Sequence, residues 1–90
     1  MDREDHILLA VHITDRIKHA SQVQEQLTQY GCNIKTRLGL HEADANYCSP
    51  NGMIILEMVG DETLIGELHE GLNGIEGVEA KKVVFTHPAP

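Results

Sequence analysis

The sequence predicts an α+β sandwich of two strand–helix–strand units in tandem, and three observations predict it. Residues 6–13, HILLAVHI, alternate in the pattern of a half-buried strand; apolar spacing of three and four follows, and residues 33–41 alternate again. Residues 52–85 repeat that succession as an apolar run, a capped helical stripe, a Gly-Ile-Glu-Gly turn and a last strand. Each unit is roughly 30–35 residues long, the size of one strand–helix–strand motif. Joined by a hairpin, the two units make a ferredoxin-like βαββαβ sandwich. Its four-stranded antiparallel sheet takes the order 4-1-3-2, with two helices on one face.

In the first strand Ile7, Leu9, Val11 and Ile13 share one face and are expected to meet the helices. His6, Leu8, Ala10 and His12 share the other. Asp15 offers an N-cap oxygen to the first helix, whose stripe is Ile17, Ala20, Val23, Leu27 and Tyr30. Gly31 is the expected left-handed stop. In residues 33–41, Ile34, Thr36, Leu38 and Leu40 oppose Lys35, Arg37, Gly39 and His41. Residues 42–52 are polar and small and end in Ser-Pro-Asn-Gly, which reads as a long hairpin loop. Residues 53–59 are apolar except Glu57, as a central strand covered on both faces would be.

Asp61 caps the second helix, with Leu64, Ile65, Leu68 and Leu72 as its stripe and Gly74 at its end. Gly66 and Gly71 inside it cost about 1 kcal/mol each relative to Ala. Close approach to the sheet or to another subunit would offset that. The last strand, Val78–Phe85, has two readings of its facing, because Lys81-Lys82 breaks the alternation and a bulge there would shift register. His87-Pro-Ala-Pro is read as a tail.

Ninety residues make one domain, 1–90, with its core at about 6–86. So short a chain hides only roughly 60–65% of its unfolded surface, so association would add useful burial. Seven Lys and Arg against 14 Asp and Glu leave −7, a charge that opposes direct nucleic-acid binding. The charged start argues against a signal peptide, and apolar runs of about six residues are too short to span a bilayer. The expectation is a cytoplasmic protein without a membrane partner, with Cys32 and Cys48 as free thiols.

The chemistry-bearing residues are sparse. Leu8, Ala10, Ile55 and Val59 fall on the face that the helices leave bare, which makes that face an oligomer interface. His12, Thr14, Asp15, Arg37 and Gly39 are the candidate effector-binding residues. Thr14 and Asp15 would give oxygens, Arg37 would neutralise an acidic group, and Gly39 would leave it room. The plainer reading of the His and Arg residues is a solvated sheet edge. His19 and His69 are expected to face solvent. His41 and Cys48 are the weak metal candidates, since zinc or nickel takes three or four such donors and no Cys-x-x-Cys, His-x-His or His-Glu-x-x-His occurs. No cofactor is expected. No nucleophile elbow and no phosphate-cradling glycine loop is present, which argues against an enzyme.

Arg37-x-Gly39, Gly52-x-Ile54-Ile55, Gly60-Asp61, Ile65-Gly66-x-Leu68, Leu72-x-x-Ile75-x-Gly77-Val78 and the lysine pair together resemble one family. It is the regulator family of the iron-only hydrogenase system, similar to ACT domains and to the C-terminal domain of nickel-responsive repressors. The resemblance spans about residues 6–86. It implies an oligomer formed through the sheets, with a small effector at the interface and a role in transcriptional control. The repressors' DNA-reading ribbon-helix-helix is not expected before residue 6. Their His-x-His strand motif has no counterpart in residues 53–59, and the ACT glycine after the first strand is replaced by His12-Ile13-Thr14-Asp15. The first reading is therefore a non-catalytic regulatory domain that senses a small-molecule effector, associates as a dimer or tetramer, and lacks its own DNA-binding domain. The alternative is a metal-responsive or metal-carrying module using His41 and Cys48.

Overall fold

The computed structural model describes residues 5–14, 16–40, 43–44, 47–48 and 52–86, with side chains for all of these except 16, 17, 40, 43, 44, 47 and 48. The elements run β1 (His6–Ile13), α1 (Arg16–Gln29), a 3₁₀ turn (Gly31–Asn33), β2 (Ile34–Leu40), β3 (Ala43–Asp44), β4 (Tyr47–Cys48), β5 (Gly52–Met58), α2 (Glu62–Asn73) and β6 (Val78–Phe85). The four long strands form one antiparallel sheet in the order β2-β5-β1-β6. This is the ferredoxin-like 4-1-3-2 order read from its other edge. Within the expected loop, β3 and β4 pair as a short ribbon, Ala43 opposite Cys48.

Alternation sets the layers. Ile7, Leu9, Val11 and Ile13 are buried, as are Ile54, Leu56 and Met58 of β5 and Val78 and Ala80 of β6. The helices close over them with Val23 and Leu27 from α1 and Ile65, Leu68 and Leu72 from α2. Each fully buried Leu or Ile contributes about 1.5–3 kcal/mol relative to exposure, so this layer holds the fold. Asp61 caps α2 as expected, its Oδ1 accepting from the Thr63 N–H at 2.7 Å. Gly74 ends the helix by donating to Glu70 O at 3.0 Å.

Several expectations are corrected. β6 keeps one register against β1 throughout, His6 opposite Phe85 to Ile13 opposite Val78, so Lys81-Lys82 makes no bulge. The irregularity lies in β2, where Ile34 faces Met58 but Thr36 faces Glu57. Lys35 is the extra residue. It keeps Ile34 on the helix side, against the core, and turns Thr36 and Leu38 to the other side. In α1 the buried line is His19, Val23 and Leu27, and Ala20 is exposed. His19 lies inward because Gly77 faces it. A Cβ built on Gly77 would stand 2.8 Å from the imidazole Cδ2.

His69 is likewise half-buried, its Nε2–H donating to Ala80 O at 2.8 Å. Leu64 is exposed, outside the buried stripe of α2. Gly31 is not a left-handed stop; among the described glycines only Gly60 and Gly77 have positive φ. Gly71 meets the Gln26 side chain of α1, not the sheet, and a Cβ on Gly66 would touch nothing within 4 Å. The Asp15 cap, most of the 42–52 loop and the 87–90 tail lie outside the described residues.

Candidate functional site

Among the described residues, the face of the sheet opposite the helices is left uncovered. The registers build it row by row: Thr36, Glu57, Leu8 and Val83; then Leu38, Ile55, Ala10 and Lys81; then Met53, His12 and Glu79. His6 and Phe85 close one end. Leu8, Ala10 and Ile55 are half-buried by their neighbours, while Leu38 and Phe85 are each 53% exposed, Val83 42%, and Met53 and Val59 40%. Of the four expected interface residues, Leu8, Ala10 and Ile55 lie on this face, and Val59 follows one residue beyond β5. The reach of the face is wider than expected: Leu38 joins because of the Lys35 bulge, and Val83 and Phe85 join because β6 is regular. Scattered exposed apolar residues are ordinary, but a contiguous patch bounded by charge marks an interaction surface.

Lys81 and Glu79 lie on the edge strand β6, whereas Glu57 enters the face from the central strand β5, between Thr36 and Leu8. Glu57 accepts a hydrogen bond from Thr36 Oγ1 at 3.0 Å and faces Lys35 Nζ at 3.9 Å. That exposed ion pair contributes little to stability. At the other end a hollow of about 200 Å³ is lined by Ala10, His12, Met53, Glu79 and Lys81. Its two nitrogen bases and one carboxylate over an apolar floor suit a small partly anionic molecule better than a metal ion. Among the described residues no three His, Cys, Asp or Glu side chains are grouped to hold one.

The expected effector residues do not converge within one chain. His12 is on the uncovered face, whereas Arg37 and Gly39 lie opposite Leu56 and Ile54, on the helix side and two strands away. Neighbouring strands are about 4.8 Å apart, so the sheet separates the imidazole from the guanidinium. A Cβ on Gly39 would meet nothing within 4 Å, so the space expected there is present. The Thr14 N–H donates to Gly77 O at 2.7 Å, tying the end of β1 to the turn before β6. Asp15 and His41 lie outside the described residues, and of Cys48 only the backbone is described. Cys32 is an exposed free thiol.

A second concavity, about 420 Å³, lies between α1 and the turn after α2, with Lys18, His19, Gln22 and Glu76 among its lining. Sequence reasoning missed it by placing His19 in solvent. Gly77 after the second helix was the signal that something large would lie against that turn.

No protein-family model matches the chain, and no curated protein sequence does. Solved structures do. An uncharacterised protein of Thermotoga maritima, TM1266, superposes with a TM-score of 0.76 at 28% identity, over 92% of this chain and 98% of that one. CPII from Thiomonas intermedia, a nitrogen regulatory PII-like protein bound to ADP, AMP and bicarbonate, gives 0.62 at 16% identity over 99% of each chain. A Thermus thermophilus protein assigned to the PII-like signalling proteins gives 0.63 at 11% identity, over 97% and 93%. These likenesses corroborate the ferredoxin-like fold. Among the described residues no helix is long and apolar enough to cross a membrane.

Proposed function

We propose that this chain is a single-domain, non-catalytic regulatory module that associates with other copies of itself through the uncovered sheet face and senses a small-molecule effector. One observation carries the reading: Leu38, Met53, Val59, Val83 and Phe85 expose an apolar surface around half-buried Leu8, Ala10 and Ile55. Covering it removes apolar area from water at about 25 cal/mol per Å², and a domain this small gains more from that than a large one. The effector would lie against His12 and Lys81, which line one hollow on that face. Arg37 and Gly39 would join only if contributed by another copy, and Thr14 with Asp15 would act at the end of β1. CPII, with the same fold, carries ADP, AMP and bicarbonate. Adenine nucleotides and small carboxylates are therefore the first ligands to try.

The finer reading, transcriptional control in the iron-only hydrogenase system by a domain without its own DNA-binding module, rests on the motif spacing alone. The metal-responsive alternative depends on His41 and Cys48, and no observation on the described residues favours it.

Sedimentation velocity across the micromolar range tests the association. The expected result is a mass of two or four chains of 10.0 kDa, falling when Leu38 and Val83 are both changed to Glu. A chain that stays monomeric throughout removes the reading. Thermal shifts with ADP, AMP, bicarbonate and small organic anions test the sensing half, since a ligand at 100 times its Kd stabilises by about 2.7 kcal/mol.

A further inference from the structure

We propose that the second half of β6 is a further self-association surface, an open sheet edge on which the same strand of another copy pairs antiparallel. This goes beyond the face contact and uses different atoms. Among the described residues β6 is an edge strand, bonded only to β1. Its outer side is treated in two ways along its length. At Ala80 it is closed. Asn73 Oδ1 accepts the Ala80 N–H at 2.7 Å, and Ala80 O accepts from Asn73 Nδ2 at 3.0 Å and from His69 Nε2 at 2.8 Å. The Val78 N–H is closed as well, by Ile75 O at 3.1 Å.

Because Ala80 spends its backbone groups on Asn73, residues 78, 80, 82 and 84 are the ones that point outward, by the alternation of an antiparallel ladder. Lys82 and Val84 therefore present N–H and C=O groups at the edge. Among the described residues no hydrogen-bond partner is found for them. The flanking side chains are apolar and in water: Val83 and Val84 are 42% and 43% exposed, Phe85 53%.

The helix above makes room. Gly66, His69 and Asn73 lie on one stripe of α2, three and four residues apart. The latter two reach over the edge at Ala80. One turn earlier, on the side of Lys82 and Val84, the stripe carries Gly66, where a Cβ would meet nothing within 4 Å. A glycine inside a helix costs about 1 kcal/mol, and among the described residues no contact requires it. An incoming strand would use that opening.

The strand selects another copy of itself in one register. Pairing Lys82 of one copy with Val84 of the other, twice about a two-fold axis through Val83, uses both open residues of each chain and leaves the Asn73 cap intact. It also sets Lys81 beside Phe85. Centring the axis on Lys82 would place like charges directly opposite and would need Ala80, which is closed. Two isologous contacts on one chain, face and edge, close into a tetramer when their two-fold axes intersect at right angles.

The test uses the full chain. Leu38→Glu lies on β2, three strands from β6, and disrupts the face alone. The expected product is a dimer, which adding Gly66→Arg converts to monomer. In the Leu38→Glu dimer the Lys82 and Val84 amides exchange slowly with solvent. In that background, with Cys32 and Cys48 replaced by Ser, Val83→Cys cross-links between copies and Glu79→Cys does not. A Leu38→Glu protein that is monomeric and exchanges both amides fast overturns the edge while leaving the face reading standing. A dimer in which Val83→Cys fails to cross-link overturns the register. If Leu38→Glu leaves the mass unchanged and Gly66→Arg alone makes monomers, the edge stands and the face reading fails.

Discussion

Replacing Asn73 by Ala tests whether a side chain can hold the edge of a sheet. The amide of Asn73 bonds both backbone groups of Ala80, at 2.7 and 3.0 Å, and the truncation removes both bonds. The losses are unequal. Ala80 O keeps the His69 donor at 2.8 Å, so only the N–H, on a residue 4% exposed, is orphaned. A lost hydrogen bond costs about 1 kcal/mol and an orphaned, poorly solvated donor about 1–3 kcal/mol, so the total is about 2–4 kcal/mol. For a domain this size that corresponds to a fall in Tm of roughly 10–30 °C. Urea and thermal unfolding followed by circular dichroism measure it. Asn73→Asp keeps the acceptor for the Ala80 N–H and should cost only about 1 kcal/mol. An Asn73→Ala loss below about 0.5 kcal/mol would mean that solvent replaces the amide, and the argument that α2 closes this edge would be wrong.

Gly77→Ala forces a side chain into a φ of +81 and against the His19 ring. It should cost at least about 2 kcal/mol in urea unfolding, of which adding His19→Ala returns a part but not all, because the backbone strain remains. The Tyr30 hydroxyl donates to Glu67 Oε1 at 3.2 Å; partial desolvation, then that bond and the carboxylate charge, hold its ionisation above the ordinary value. The neutral phenol's contact is thus intact below about pH 10 and is lost as pH rises through the raised value. In a Tyr47→Phe background the ultraviolet titration should shift to lower pH on Glu67→Gln, and an unchanged midpoint would refute the assigned cause. After equilibration with zinc or nickel and desalting, the chain is expected to retain far less than one metal per copy; near-stoichiometric metal, lost in Cys48→Ser, would instead establish the alternative.

The fold was legible because alternation and helical spacing report burial directly. Ile7, Leu9, Val11 and Ile13 could only be one face of a strand, and Asp61 before Leu64–Leu72 could only begin a helix. The facing of β2 was not legible. One extra residue at Lys35 changes which side chains meet water without changing the composition around it, and local pattern carries no record of a bulge. His19 was misplaced for a related reason: an imidazole adjoins Ala20 on the helix wheel, and only the distant Gly77 decides which of the two turns inward. The candidate effector set divided because local pattern cannot say on which side of the sheet Arg37 emerges once the register shifts between Ile34 and Thr36.

By itself the sequence determined the two strand–helix–strand units, the strand order and the aliphatic layer, since each follows from the period of apolar residues and from short-range capping. Tertiary structure alone decided which residues form the uncovered face, and that Asn73 and His69 close the edge of β6 at Ala80. Those facts depend on contacts between residues far apart in the chain, where register and helix rotation are fixed by packing.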